Sequence, residues 1–251
     1  MLLKGVPITA LLLFVSIGRG DDGFKAETRQ FPFSALIVAN YNNSIINNLG
    51  EWDCSGAIIS DKFVITAGLC VEGIQKFRIK LGEKGEVRDN EDEYIYDHII
   101  HTKPIYSINH IVALIALNPI CNFTPAIQPV RIPVNPANVN NWLIVAGWNA
   151  NNENDLELQW LPMRVISDAD CKAVYPAIDM STVICARTDE VNGKHRSLCG
   201  SLGSVLVAEN NTLLGISIWQ IFSPCQDGPQ IFARIKWFNP WISAAFEITR
   251  G

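Results

Sequence analysis

Covalent attack on a carbonyl needs a hydroxyl or thiol nucleophile, an imidazole to take its proton and a carboxylate to orient that imidazole. The stretch Leu198-Cys199-Gly200-Ser201-Leu202-Gly203-Ser204-Val205-Leu206-Val207 offers a hydroxyl in Ser201. Ser201 would still need a base, and the chain has four histidines. His98 and His101 lie in a strand-and-turn segment far upstream. His110 precedes Ile111, and neighbours on a strand point to opposite faces. His195 lies shortly before Ser201. All four read as solvated or hydrogen-bonded surface groups.

The elements that must position such groups come from a chain of 251 residues, 48% hydrophobic and 18% charged. That supports one sizeable unit or two small barrels with a real core. The formal charge of -5 comes without long charged runs. A nucleic-acid binder would need a basic face, so that class is excluded. Residues 1–18 read as a secretory signal: Lys4 is the basic start, Ile8 to Val15 the short apolar run, and Ser16-Ile17-Gly18 the small-residue cleavage site. The run is too short to span a bilayer. Losing Lys4 with it takes the charge from -5 to -6.

Seven cysteines in an exported chain imply three bridges and one leftover thiol. Three sequons fit export: Asn42-Asn43-Ser44, Asn122-Phe123-Thr124 and Asn210-Asn211-Thr212. Pro125 makes the second the poorest acceptor. Phe33 to Ala39 alternates and predicts a strand. Tyr41 to Gly50 is Asn-rich and predicts a surface loop. Strands are expected over Trp52 to Ser60, from Phe63, over Phe77 to Leu81 and over Leu161 to Val165.

Phe63-Val64-Ile65-Thr66-Ala67-Gly68-Leu69-Cys70 resembles the Val-Leu-Thr-Ala-Ala-His-Cys strand of the chymotrypsin/trypsin-like serine proteases, with Leu69 at the histidine. Asn109-His110-Ile111-Val112-Ala113-Leu114-Ile115-Ala116-Leu117 is similar to their Asn-Asn-Asp-Ile-Ala-Leu-Ile-x-Leu, with Ile111 at the aspartate. The Leu198 to Val207 stretch resembles Cys-Gln-Gly-Asp-Ser-Gly-Gly-Pro-Leu-Val with one residue deleted. Gly200 then takes the oxyanion-loop glycine, Ser201 the aspartate, Leu202 the catalytic serine and Ser204 the second glycine of the pair. Ala126 to Pro133 resembles the crossover between barrels. Val145-Ala146-Gly147-Trp148 and the run from Arg234 to Ile242 extend the likeness to residues 20–245.

The resemblance implies an all-β fold of two six-stranded antiparallel Greek-key β-barrels, about 24–128 and 129–251, with a C-terminal α-helix. It implies the bridges Cys54–Cys70, Cys171–Cys185 and Cys199–Cys225, leaving Cys121 as a buried free thiol or an intermolecular partner. Leu143 and Ala208 stand where many members have a further bridge. Arg19-Gly20 resembles the activation site. Gly20 replaces the isoleucine and Ser201 the aspartate of the ion pair formed on activation. The specificity pocket is altered at Ser197, its base, and at Gln220 and Gln230, where glycines would leave room for a substrate side chain.

Leu69, Ile111 and Leu202 have no proton to transfer. They are expected to pack as a dry cluster between the barrels, each contributing about 1.5–3 kcal/mol. The resemblance thus implies a secreted, non-catalytic serine protease homologue that binds an extracellular protein as cofactor, decoy or regulator. The partner could be an active protease, zymogen or inhibitor. The competing readings are an active endopeptidase and a small-ligand carrier. No cofactor, metal, nucleic acid or membrane partner is implied. The loops Tyr41 to Gly50, Gly85 to Glu93 and Ala150 to Leu156 are the candidate contact surfaces.

Overall fold

The computed structural model describes residues 23–43, 48–71, 76–82, 98–100, 111–118, 120–133, 141–150, 156–191, 194–198, 201–218 and 228–248. The signal, Gly20 and the loop Gly85 to Glu93 lie outside the described residues, so the structure does not bear on them.

The described chain begins with β1 (Phe24–Lys25), then runs through β2 (Ser34–Asn43), β3 (Asn48–Ile58), β4 (Phe63–Ala67), β5 (Lys76–Leu81), β6 (His98–Ile100) and β7 (Val112–Ala116). The last six form one antiparallel sheet in the order β5-β2-β3-β4-β7-β6. The second half supplies β8 (Trp142–Ala150), β9 (Leu156–Val165), α1 (Asp168–Val174), β10 (Val183–Arg187), the two-residue pair β11 (Glu190–Val191) and β12 (Lys194–His195), β13 (Val205–Val207), β14 (Leu213–Ser217), β15 (Gln230–Arg234) and α2 (Ile235–Ile248). The order β9-β10-β15-β14-β13-β8 closes on itself, because β8 also pairs with β9. The result is a closed six-stranded barrel beside a second barrel-like sheet.

Why these segments close a barrel is visible in their two-residue period. Leu143 and Val145 on β8, Leu161, Met163 and Val165 on β9, Ile184 and Ala186 on β10, Leu206, Leu214 and Phe232 all enter one buried cluster. Their strand neighbours Ala146 and Trp148, Leu158, Val183 and Cys185, Val205 and Val207, Ile231 and Ala233 enter a second cluster shared with the first sheet. Strands buried on both faces read as continuous apolar runs, which is how they look in the sequence.

Three sequence expectations need correction. β1 pairs with β9, through Phe24↔Trp160 and Lys25↔Gln159. The start of the range assigned to the first barrel, about 24–128, therefore belongs to the second half's sheet. Tyr41 to Gly50 is mostly hairpin rather than loop, with Tyr41↔Gly50, Asn42↔Leu49 and Asn43↔Asn48 in register. Backbone pairing is indifferent to side-chain polarity, so the ladder runs on through the asparagines. Ala150↔Leu156 likewise closes the β8–β9 hairpin, which shortens that candidate loop.

The helix α1 was not foreseen. Its signal is Ser167, whose hydroxyl accepts the backbone N–H of Asp170 at 3.0 Å, with Asp168 and Asp170 in the first turn. The C-terminal helix α2 buries Phe238, Ile242 and Ala245 along one face. Asn239 anchors it to the crossover by donating from Nδ2 to the Pro133 carbonyl at 2.7 Å.

Candidate functional site

The residues that would carry catalysis in the resemblance come from three places in the chain. β4 ends at Ala67, and Gly68–Cys70 follow as one turn of 3-10 helix. Ile111 immediately precedes β7, and its carbonyl accepts the Gly68 N–H at 3.0 Å. The Leu202 carbonyl accepts the Ser55 N–H on β3 at 2.7 Å. Ser55 returns to β4 through its own carbonyl, which accepts the Thr66 hydroxyl at 2.6 Å. Backbone hydrogen bonds therefore draw the Leu69, Ile111 and Leu202 segments into one neighbourhood.

Their side chains do not share one environment. Leu202 is 2% exposed and belongs to the main core. Ile111 is partly buried against that core. Leu69 is 37% exposed, which corrects the expected dry cluster of all three. In a tight three-residue turn, Gly68 and Cys70 face inward and the residue between them faces out. Cys70 is fixed inward by its disulfide to Cys54.

Among the described residues, the buried polar groups around Leu202 are uncharged hydroxyls. Ser55, Thr66, Ser201, Ser204 and Ser217 are all buried. The Ser204 hydroxyl donates to the Ser201 carbonyl at 2.5 Å and also reaches the Ser201 hydroxyl. The Ser201 and Ser55 hydroxyls share a hydrogen bond of 3.0 Å. Ser55 Oγ also accepts the Trp148 N–H from β8 at 2.8 Å. The hydroxyls of Ser55, Thr66, Ser201 and Ser204 are each paired with another hydroxyl or with backbone, as buried polar groups require. None of these partners is an imidazole or a carboxylate.

The glycines of this region are fixed by the same crowding. Gly203 has φ +81, and a Cβ there would strike the Ser55 carbonyl and Thr66 Oγ1. A Cβ on Gly147 would collide with the hydroxyls of Ser201 and Ser204. The loop is pinned further by Gly203 N–H to the Ser217 carbonyl at 2.9 Å and Ser217 N–H to the Ser204 carbonyl at 2.8 Å.

Two of the three pocket positions meet. Gln230, at the start of β15, donates from Nε2 to Ser197 Oγ at 2.5 Å. The wall side chain thus lies across the position read as the pocket base. Gln220 and Gly200 lie outside the described residues, as do both cysteines of the Cys199–Cys225 pair. Cys54–Cys70 and Cys171–Cys185 are bridged, and Cys121 is free. Burial, reinforced by the negative field of Asp61, pushes the Cys121 thiol up to about 11. Leu143 and Ala208 occupy one apolar cluster, so carbon packing fills the place of the additional bridge.

The histidines show no catalytic arrangement among the described residues. The His195 ring pairs through Nδ1 with the Thr188 carbonyl at 2.7 Å. That acceptor makes Nδ1 the protonated nitrogen. His98 lies on β6 opposite Ile115, and His101 and His110 lie outside the described residues.

The family model described as trypsin matches residues 21–242. The chain belongs to the trypsin family. A collagenase of Hypoderma lineatum is 29% identical over 235 residues, covering 90% of this chain and 86% of the relative. The rat protein named serine protease 1 is 30% identical, covering 78% and 80%. Among solved structures, HL collagenase superposes with a TM-score of 0.76 at 26% identity, over 90% of this chain and 98% of that one. A scabies mite inactivated protease paralogue reaches 0.74 at 20% identity, over 90% and 99%, a likeness of fold. Among the described residues, no helix is long and apolar enough to cross a membrane.

Proposed function

We propose that this trypsin-family chain is a secreted, non-catalytic member that works by binding an extracellular protein. The observation that carries the reading is Leu202. It stands at the nucleophile position of the family pattern, 2% exposed in the core, with its neighbour Ser201 committed to Ser55 and Ser204. A leucine methyl cannot attack a carbonyl, and a buried serine without a base is no substitute. Leu69 and Ile111 at the other two positions also lack a transferable proton. Removing the serine or histidine of such a triad costs about a million-fold in turnover.

The binding reading follows from what remains when chemistry is taken away. The scaffold keeps a packed core and two bridges. Gln230 and Ser197 close on each other where a substrate side chain would enter. That argues equally against a small-ligand carrier. Partners of the expected chemistry are an active protease, a zymogen or an inhibitor.

The second reading is an active endopeptidase, favoured by relatives named as collagenase and serine protease. A fluorophosphonate probe separates the two. No labelling and no peptide-ester cleavage are expected from the purified, Arg19-cleaved chain. Labelling that a serine-directed inhibitor blocks would overturn the proposal.

A further inference from the structure

We propose that Asn210 is a glycan acceptor, that Asn122 is not, and that the glycan stands at the end of the β13–β14 hairpin away from the degenerate site. The inference rests on the secreted reading above for the chain's access to the modifying enzyme.

The two sequons differ in how their residues are held. Asn210 and Asn211 form the exposed turn joining β13 and β14. The Asn210 side-chain carbonyl Oδ1 accepts the Thr212 N–H at 3.2 Å. One bond therefore brings the first and third residues of the sequon together and commits the oxygen, leaving the amide nitrogen as the group to modify. Asn211 takes φ 57, a left-handed turn conformation that asparagine tolerates. The turn closes through Asn211 N–H to the Ala208 carbonyl at 2.9 Å and Ala208 N–H to the Thr212 carbonyl at 3.0 Å, and the Asn211 carbonyl also accepts the Arg131 N–H at 2.9 Å.

Asn122 is also exposed, but its threonine is engaged elsewhere. Thr124 exchanges backbone bonds with Ile127 at 2.9 and 3.1 Å. Its hydroxyl accepts the Ala126 N–H at 3.2 Å, and its carbonyl accepts Gln128 Nε2 at 2.6 Å. Pro125 stiffens the residue next to it. The hydroxyl that must assist the asparagine is held by a turn that runs away from Asn122.

The hairpin also sets the direction of the sugar. Its open end meets the site, through Ser217 N–H to the Ser204 carbonyl. Its tip is Asn210. β13 contributes three residues, Val205–Val207, roughly 10 Å of strand at about 3.3 Å per residue, and Ala208 and Glu209 stand between it and Asn210. The glycan would shield the barrel end and leave the cleft face uncovered for a protein partner.

In the step itself, Asn210 Nδ2 displaces the leaving group of a lipid pyrophosphate-linked oligosaccharide. The N–C1 bond forms and the C1–O bond to phosphate breaks. The lipid pyrophosphate departs with the electron pair, and the amide nitrogen loses one proton to the transferase.

The test expresses the full chain in insect cells twice, once with its own residues 1–18 and once with a proven export signal in their place. Peptide mass spectrometry before and after glycosidase treatment then reads each sequon. In the forced-export chain, Asn210 should be occupied and Asn122 bare. Asn210→Gln and Thr212→Ala should each abolish the Asn210 signal. An unmodified Asn210, or an occupied Asn122, in the forced-export chain overturns the proposal. If only the chain with its own leader lacks sugar and stays in the cells, the secreted reading fails and the acceptor assignment stands.

Discussion

The hydroxyls of Ser55 and Ser201 lie 3.0 Å apart although 146 residues separate them. Ser55 belongs to the first sheet, and Ser201 to the loop before β13 in the second barrel. The pair is therefore a polar stitch between the two halves, within a layer of buried hydroxyls. Deleting one partner removes the shared bond while Ser55 Oγ keeps the Trp148 N–H and the Ser204 hydroxyl keeps the Ser201 carbonyl, so the loss is about 0.5–1.5 kcal/mol. Ser201→Ala should lower stability by that order in chemical denaturation. Ser55→Ala with Ser201→Ala should cost less than the sum of the two single changes. Additive losses would mean that the two hydroxyls are not coupled.

The same position tests what the loss of an aspartate has done. Ser201→Asp places a carboxylate in a fully buried site faced by the neutral hydroxyls of Ser55 and Ser204. Desolvation raises the folded-state value above the unfolded value of about 3.9. The sign follows: the acid form is tolerated below the unfolded value, and stability falls as pH rises above it. Thermal melts of Ser201→Asp should approach the parent near pH 3 and separate from it by pH 7. A gap that is independent of pH would rule this account out.

Leu69 and Leu202 make a controlled pair, the same residue type at two exposures. Leu202→Ala should cost about 2–5 kcal/mol, by lost transfer free energy and a residual cavity. Leu69→Ala, at 37% exposure, should cost about 1–2 kcal/mol, since more than a third of the side chain stays in water and no enclosed cavity is left behind. Urea midpoints of the two variants check the ordering. Equal losses would place Leu69 in the core.

That contrast shows where the sequence was legible. The family resemblance implied the barrels and the bridges found at Cys54–Cys70 and Cys171–Cys185, and the alternation of Phe33 to Ala39 announced β2. The positions of Leu69, Ile111 and Leu202 came from matching motifs. A motif fixes register along the chain but not which way a residue faces in a three-residue turn, so the exposure of Leu69 was not readable. The serine network was equally hidden. Ser55 was read within a strand and Ser204 at a glycine position, and only the fold brings Ser55 to 3.0 Å from Ser201 across 146 residues. Gln230 and Ser197 were each read as altered pocket residues, but only the fold turns them into a contact.

The Gln230 contact has a direct consequence for reversal. Restoring Leu69→His, Ile111→Asp and Leu202→Ser together should yield no measurable proteolysis. Gln230 would still reach across to Ser197, and Ser201 would still replace the acid of the activation pair. Adding Gln230→Gly removes the obstruction but leaves the second loss, so ester hydrolysis should stay at background. Activity from the triple variant alone, blocked by a serine-directed inhibitor, would show that those secondary losses do not matter.

Cys121 offers a prediction in the alkaline range. Its thiol is pushed up to about 11, first by burial and then by Asp61. The folded state therefore holds its proton more tightly than the unfolded chain, whose thiol has the ordinary value of 9.0. Between about pH 9 and 11 unfolding releases that proton, so its contribution to stability is complete below pH 9 and is lost as pH rises towards 11. Cys121→Ser should flatten that part of the stability profile. Iodoacetamide should label the native thiol far more slowly at pH 8 than the urea-unfolded chain, because the thiolate is the reacting form. Equal rates would place Cys121 in open solvent with an ordinary thiol.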